Sequence, residues 1–220
     1  MGQVADVGNG EYEDQLRAEV ESWLIEDPDR RHEKIQRERV RHPKLIRDLL
    51  LDHLDTNLMD VLEIGGGPYP LSDLLRFRSR VVVDPLSDDY SRYFPCPDHI
   101  TLRAENLGME SQFDLAICTN ALDHVHEPDR VARVIERALR PGGYAAIMCA
   151  ENNAITNPHP AHVHNLTADW VHRHFDEDFE TVWELTFAND GYRYGWVKYL
   201  GRRGQPAFAL LMRKCSGYGS

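Results

Sequence analysis

The sequence predicts an α/β fold: a seven-stranded, mostly parallel sheet with helices on both faces, an antiparallel last strand and an N-terminal helical cap. Three observations carry this expectation. Apolar runs such as Val81–Val83 and Ala145–Ala150 show no polar alternation, so their strands are buried on both faces, as in a parallel sheet covered by helices. These runs alternate with helical patterns from residue 59 onward, the rhythm of strand–helix–strand units. The first run ends in Gly65, Gly66 and Gly67, and the next closes on Asp84; such a sheet opens a ligand pocket at the carboxyl ends of its strands in this way.

The elements follow in order. Residues 1–10 have no periodicity and are expected to fray. Tyr12, Leu16, Val20, Trp23 and Leu24 fall at helical spacing and give an amphipathic helix from Glu11 to Ile25, stopped by Asp27-Pro28. A second helix is expected from Arg30 to Leu54. Its first part, Arg30 to Arg47, holds eight Lys or Arg against two Glu. That pattern reads first as a solvated face laced with ion pairs, and second as a lid whose basic side meets an anionic group. Strands are then expected at Met59–Ile64, Arg80–Asp84, Ile100–Arg103, Phe113–Thr119, Gly143–Ala150, Phe179–Phe187 and Ala207–Lys214. Helices are expected near Leu71–Phe77, Pro128–Leu139 and Thr167–Phe175. The turn Gly201 to Gly204 with Pro206 favours an antiparallel return of the last strand. The chain thus divides into a cap, residues 1–55, and a single-core domain, residues 56–220, as its 220 residues allow.

Composition narrows the function. A formal net charge of -11 argues against binding nucleic acid by its phosphates, which requires basic surface. No apolar run reaches the roughly 18 residues of a membrane span, and the first 30 residues are acidic and polar. A cytoplasmic chain with a small-molecule partner is expected. Cys96, Cys118, Cys149 and Cys215 lie far apart without a C-x-x-C pair and read as reduced core thiols.

The glycines and acids carry the chemistry. Glycine lets backbone approach a ligand where a Cβ would intrude. Asp84 offers a two-oxygen acceptor suited to paired ribose hydroxyls. A dinucleotide fingerprint would require G-x-G-x-x-G, with a pyrophosphate at the following helix. Here Pro68, Tyr69 and Pro70 follow, and Glu63 would repel a pyrophosphate while suiting a cationic ligand. The pattern Glu63-x-Gly65-x-Gly67 resembles the first motif of the class I S-adenosylmethionine-dependent methyltransferases, with their Rossmann-like sheet. A second stretch, Leu122-Asp123-His124-Val125 with Pro128, Leu139 and Pro141-Gly142-Gly143, resembles the fourth-to-fifth-strand region of the same family. The resemblance covers about 90 residues, from 59 to 150.

The resemblance implies S-adenosylmethionine as cofactor. It implies roles for Glu63 near the methionine amine, for Gly65, Gly66 and Gly67 along the ligand, and for Asp84 at the ribose. The adenine is expected at Ala104 and Glu105, since Arg103 stands where the family carries an Asp, and Tyr69 replaces a usual third glycine. Asn120, just past the fourth strand, is a turn residue or a cofactor contact.

Methyl transfer to a hydroxyl profits from a base, and His124 and His126 follow the fourth strand directly. His159, His162 and His164, in the loop bordering the pocket, are candidate substrate contacts. H-x-x-H-x-H is not a specific metal signature and no Cys lies nearby, so no metal is expected. Tyr192, Tyr194, Trp196 and Tyr199 suggest an aromatic hairpin packed on the sheet, or a stacking surface for substrate. The expected function is methylation of a small molecule, on a sugar or natural-product hydroxyl. The alternatives are a catalytically silent partner protein of the same fold, an enzyme acting on nitrogen or RNA, and non-methyl chemistry in the same pocket.

Overall fold

A computed structural model describes residues 9–23, 27, 29–30, 33, 43–92, 97–156, 159–175, 177–187 and 207–216. Its strands are β1 (Asp60–Ile64), β2 (Ser79–Val83), β3 (His99–Ile100), β4 (Phe113–Thr119), β5 (Leu139–Ala150), β6 (Phe179–Phe187) and β7 (Ala207–Lys214). They form one sheet in the order β3-β2-β1-β4-β5-β7-β6. Strands β1 to β5 pair in parallel, and β7 runs antiparallel to both its neighbours. The helices are α1 (Asn9–Trp23), α2 (Pro43–His53), α3 (Ser87–Tyr90), α4 (Pro128–Ala138), α5 (Asn153–Thr156) and α6 (Ala168–Phe175). The expected mixed sheet with an antiparallel last strand is therefore what forms. No helix among the described residues is long and apolar enough to cross a membrane.

Strand pleating sends alternate side chains to opposite faces. Leu62, Ile64, Ala116 and Cys118 pack on α4 and α6 through Val131, Ile135, Trp170 and Val171. Val61, Leu115 and Ile117 pack on α2 through Ile46 and Leu50, and on Leu54 just after it. In α4 the buried Val131, Val134, Ile135 and Ala138 recur at i, i+3, i+4 and i+7, and Pro128 opens the helix where its missing N–H is harmless. At the amino edge of the sheet, Arg78 and Arg140 each bridge Asp60 and Asp114. That edge is closed by ion pairs, and the carboxyl edge is left for a site.

Three local expectations change. The stretch Leu71–Phe77 forms a single 3₁₀ turn, Leu71–Leu74, rather than a helix. Both oxygens of the buried Glu63 accept the first N–H groups of that turn, from Leu71 at 2.7 Å and Ser72 at 2.9 Å. The chain then extends at Leu75, placing Leu75 and Phe77 against the core. Of the expected third strand Ile100–Arg103 only Ile100 pairs with β2, together with His99 before it, and a 3₁₀ turn at Ala104–Asn106 follows. β5 begins at Leu139, before Pro141-Gly142-Gly143: Leu139 lies opposite Phe113 and Tyr144 opposite Leu115, so the motif forms an irregularity within the strand. Of the expected helix Arg30–Leu54, residues 30 and 33 are helical and Pro43–His53 forms α2, and residues 31–32 and 34–42 lie outside the described residues. Most of the basic stretch Arg30–Arg47, and Tyr192, Tyr194, Trp196 and Tyr199, lie outside the described residues.

Candidate functional site

The strand order turns back between β1 and β4, and a crevice opens beyond their carboxyl ends, as the topology requires. A cavity of about 250 Å³ occupies it. Its floor is the loop Gly65–Gly67, its sides are Asp84 after β2, Ala104 and Glu105 after β3 and Asn120 and Ala121 after β4, and its roof is α1.

The loop is built around close packing. Gly65 has φ +67°, and a Cβ there would lie 2.3 Å from the Ala121 Cβ. A Cβ on Gly66 would lie 2.5 Å from Val82 Cγ1, whereas Gly67 has open space. Gly65 and Gly66 thus let the loop sit on the protein's own β2 and β4 segments.

Asp84 is buried. The Gly67 N–H donates to its Oδ2 at 2.9 Å and the Leu86 N–H to its Oδ1 at 2.8 Å. Each carboxylate oxygen keeps further lone-pair capacity for a ligand hydroxyl. Burial is the largest influence on its titration and pushes it up to about 6; the two backbone N–H bonds and His124 oppose this and Glu19 adds to it. Glu63 also titrates above the usual range because it is buried. Its carboxylate backs the loop by holding the 3₁₀ turn, and the residue lines the cavity. Glu105 accepts the His126 and Glu127 N–H groups with Oε1, at 2.8 and 3.0 Å. Its Oε2 is buried with no hydrogen-bond partner among the described residues. Ala104 lies beside it in the wall. Asn120 holds φ +49°, a left-handed turn that Asn tolerates, and its N–H donates to the Met148 carbonyl at 2.8 Å, so it is turn residue and cavity wall together.

The histidines separate. His124 lies in the cavity wall. Its Nδ1 is 3.8 Å from Glu19 Oε2 and its Nε2 is 3.5 Å from Asp123 Oδ2. His162 meets it edge-on with ring centroids 4.8 Å apart, and His159 stands 5.4 Å from His162. His126 is not among the cavity-lining residues and packs its ring 5.1 Å from that of Tyr12, bracing α1. His164 is fully buried, its Nε2 is 2.8 Å from the Val125 carbonyl, and burial lowers its basicity. It fastens the 159–164 loop and does not line the cavity.

The roof is what sequence reasoning missed. Tyr12, Gln15, Leu16, Glu19 and Trp23 all line the cavity. They fall at i, i+3, i+4, i+7 and i+11, one helical face. Gln15 and Glu19 on an otherwise apolar face were the available signal, because a buried stripe with polar members needs polar company. Gln15 Oε1 is buried and without a partner among the described residues. Trp23 donates to Glu19 at 2.7 Å, and Arg103 lies over the Tyr12 ring at 4.5 Å and pairs with Glu13. Arg103 therefore holds the roof down.

Glu19, Glu63, Asp84 and Glu105 line the cavity, and no Lys or Arg does among the described residues. Such a wall repels phosphates and suits a ligand carrying positive charge and N–H donors. A ligand with an ammonium, a sulfonium, a ribose and an adenine meets that test: Asp84 offers acceptors for hydroxyls, and Glu105 Oε2 for an amino group.

Comparison with known proteins agrees with this geometry. A family model described as a methyltransferase domain matches residues 27–198. Uncharacterised proteins from two strains of Mycobacterium tuberculosis are 24% identical over 112 residues, covering 45% of this chain and 38% of theirs. The match thus spans less than half the length of these curated relatives. Among solved structures, 1,6-didemethyltoxoflavin-N1-methyltransferase of Burkholderia thailandensis, with bound 1,6-didemethyltoxoflavin and S-adenosylhomocysteine, is similar at TM-score 0.64 and 18% identity, covering 97% of this chain and 95% of that one. The N-methyltransferase NodS of Bradyrhizobium japonicum, in complex with S-adenosylhomocysteine, gives 0.63 and 14%, covering 94% and 99%. The cyclase SpnF gives 0.58 and 17%, covering 80% and 81%. At these identities the structural likenesses establish the fold.

Proposed function

The chain belongs to the class I S-adenosylmethionine-dependent methyltransferases, and we propose that it methylates a small molecule, with a hydroxyl oxygen as acceptor. The acid-walled cavity without Lys or Arg is the observation that carries this reading. When bound, S-adenosylmethionine supplies a methyl group on a sulfonium, which is already a good leaving group. The protein's tasks are alignment of the acceptor and removal of its proton.

In this reading Asp84 accepts the ribose hydroxyls and the unpartnered Glu105 oxygen accepts the adenine amino group. Glu63 and the glycine loop keep the floor in shape. Roof helix α1 excludes water through Tyr12, Leu16 and Trp23, and Glu19 adds negative charge beside the cation. The acceptor enters at the histidine end, where His124 lines the cavity with His162 and His159 behind it. Proton removal belongs to that end. An acidic surface and a cavity of this size support a small molecule over a nucleic acid.

The test is product analysis: the full chain, methyl-labelled S-adenosylmethionine and a panel of sugar and natural-product alcohols, with amine counterparts alongside. Labelled ether products support the reading. Label found only on nitrogen overturns the oxygen assignment, and conversion without methyl transfer overturns methylation itself.

A further inference from the structure

Asp123, His124 and His162 each turn one ligand atom toward a common point, with these atoms within 4.8 Å of one another. From this juxtaposition we propose that they form a binding site for one divalent transition-metal ion at the acceptor end of the cavity. The set combines two imidazoles and one carboxylate, a donor mixture that suits zinc, iron, cobalt or nickel better than magnesium. Such an ion stands about 2.0 to 2.2 Å from its ligands, which sets neighbouring donors roughly 3 to 3.5 Å apart. His124 Nε2 and Asp123 Oδ2 are already 3.5 Å apart. The ligand atom of His162 lies within 4.8 Å of those of both other residues.

The surroundings are those of a prepared site. Asp123 is fully buried, and a buried carboxylate is stabilised by a cation or by donors at both oxygens. Its Oδ1 accepts from the Cys149 thiol at 3.3 Å, and its Oδ2 stands 3.5 Å from His124 Nε2. The Asp123 carbonyl accepts the Val163 N–H at 3.1 Å, which fixes the loop carrying His162 beside it. The opposite nitrogen of His124 faces Glu19 at 3.8 Å. A carboxylate behind a histidine ligand orients the ring and strengthens its donation. Of the three, His124 lines the cavity, so an ion held here borders its acceptor end.

The ion's role rests on the methyltransferase reading, whereas the binding site itself does not. An acceptor hydroxyl bound to the ion loses its proton more readily: the O–H bond breaks, the electron pair stays on oxygen, and the proton passes to solvent. A metal ion, rather than a free imidazole, then prepares the oxygen. The sequence leads to no expectation of a metal at the H-x-x-H-x-H loop, and only His162 of that loop joins this set.

The experiment uses the full chain without an affinity tag, stripped with chelator and then dialysed. Titration with cobalt(II) chloride is followed by visible absorption, and zinc chloride is added in competition. One cobalt per chain, a d–d spectrum of low-symmetry coordination and displacement by zinc are expected. His162→Gln and Asp123→Asn should each weaken cobalt binding at least a hundredfold, with melting curves establishing that each variant is folded. Absence of cobalt binding below millimolar concentration overturns the proposal, and so does unchanged stoichiometry and affinity in folded variants. S-adenosylhomocysteine affinity of the stripped chain, measured separately, reports on the cofactor pocket, so the two readings fail independently.

Discussion

Asp84 joins a recognisable sequence position to an electrostatic consequence. Its titration near 6 arises from burial, so the folded chain holds the proton more tightly than the unfolded one does. Asp84 therefore contributes stability that is fully present below its unfolded pKa, near 4, and lost as pH rises through about 6. Ligand binding has the opposite dependence, since the ionised carboxylate is the better acceptor for two hydroxyls. S-adenosylmethionine affinity should fall as pH drops below about 6, and Asp84→Asn should flatten that profile. The same variant should weaken binding roughly ten- to hundredfold, the loss of about 1.5 to 3 kcal/mol of charge-assisted hydrogen bonding. Calorimetry across pH 5 to 8 checks both; an unchanged affinity and profile removes Asp84 from the site. Gly65→Ala acts differently. Its Cβ would overlap Ala121 at a φ of +67°, so a loss of about 1 to 3 kcal/mol in stability is expected, seen as a lowered melting temperature before any ligand is added. The positions of Glu63, the glycines and Asp84 were legible in the sequence because motif spacing fixes them at strand ends. That Glu63 serves the 3₁₀ turn and Gly65 serves Ala121 was not, because these partners meet only in the folded chain.

At the scale of elements, α1 is the part whose importance the sequence understated. Periodicity gives the helix and its apolar stripe, yet nothing local says that the stripe covers a cavity rather than a core. Five of its residues line the cavity, and it is held by the Tyr12–His126 ring contact, the Arg103–Glu13 pair and packing of Leu16 and Val20 near Leu86 and Tyr90. Tyr12→Ala should loosen the roof and weaken cofactor affinity about tenfold or more while the sheet stays folded. Amide hydrogen exchange should show residues 9–23 exchanging faster in the variant, and slower in the parent chain when S-adenosylmethionine is added. Equal exchange with and without cofactor contradicts a roof in contact with it. The failed helix at Leu71–Phe77 makes the same point in reverse. Its residues have helical propensity, but the Glu63 carboxylate and the burial of Leu75 and Phe77 end the turn after one cycle. Tertiary demand overrode local preference.

For the whole molecule, the seven strands, their direction and the antiparallel β7 were legible because uninterrupted apolar runs and turn residues encode them directly. The histidine constellation was not, since Asp123 and His124 after β4 meet His162 only when the β5 crossover returns the chain to the same edge. Sheet order thus decides both the crevice and the company around it. The central claim is that this crevice, with its acidic wall, is built for S-adenosylmethionine. Calorimetric titration of the full chain with S-adenosylmethionine at neutral pH, beside a nicotinamide dinucleotide, tests it most directly. One site per chain for S-adenosylmethionine and no heat of binding from the dinucleotide are the expected result; dinucleotide binding, or no S-adenosylmethionine binding at millimolar concentration, would contradict the account.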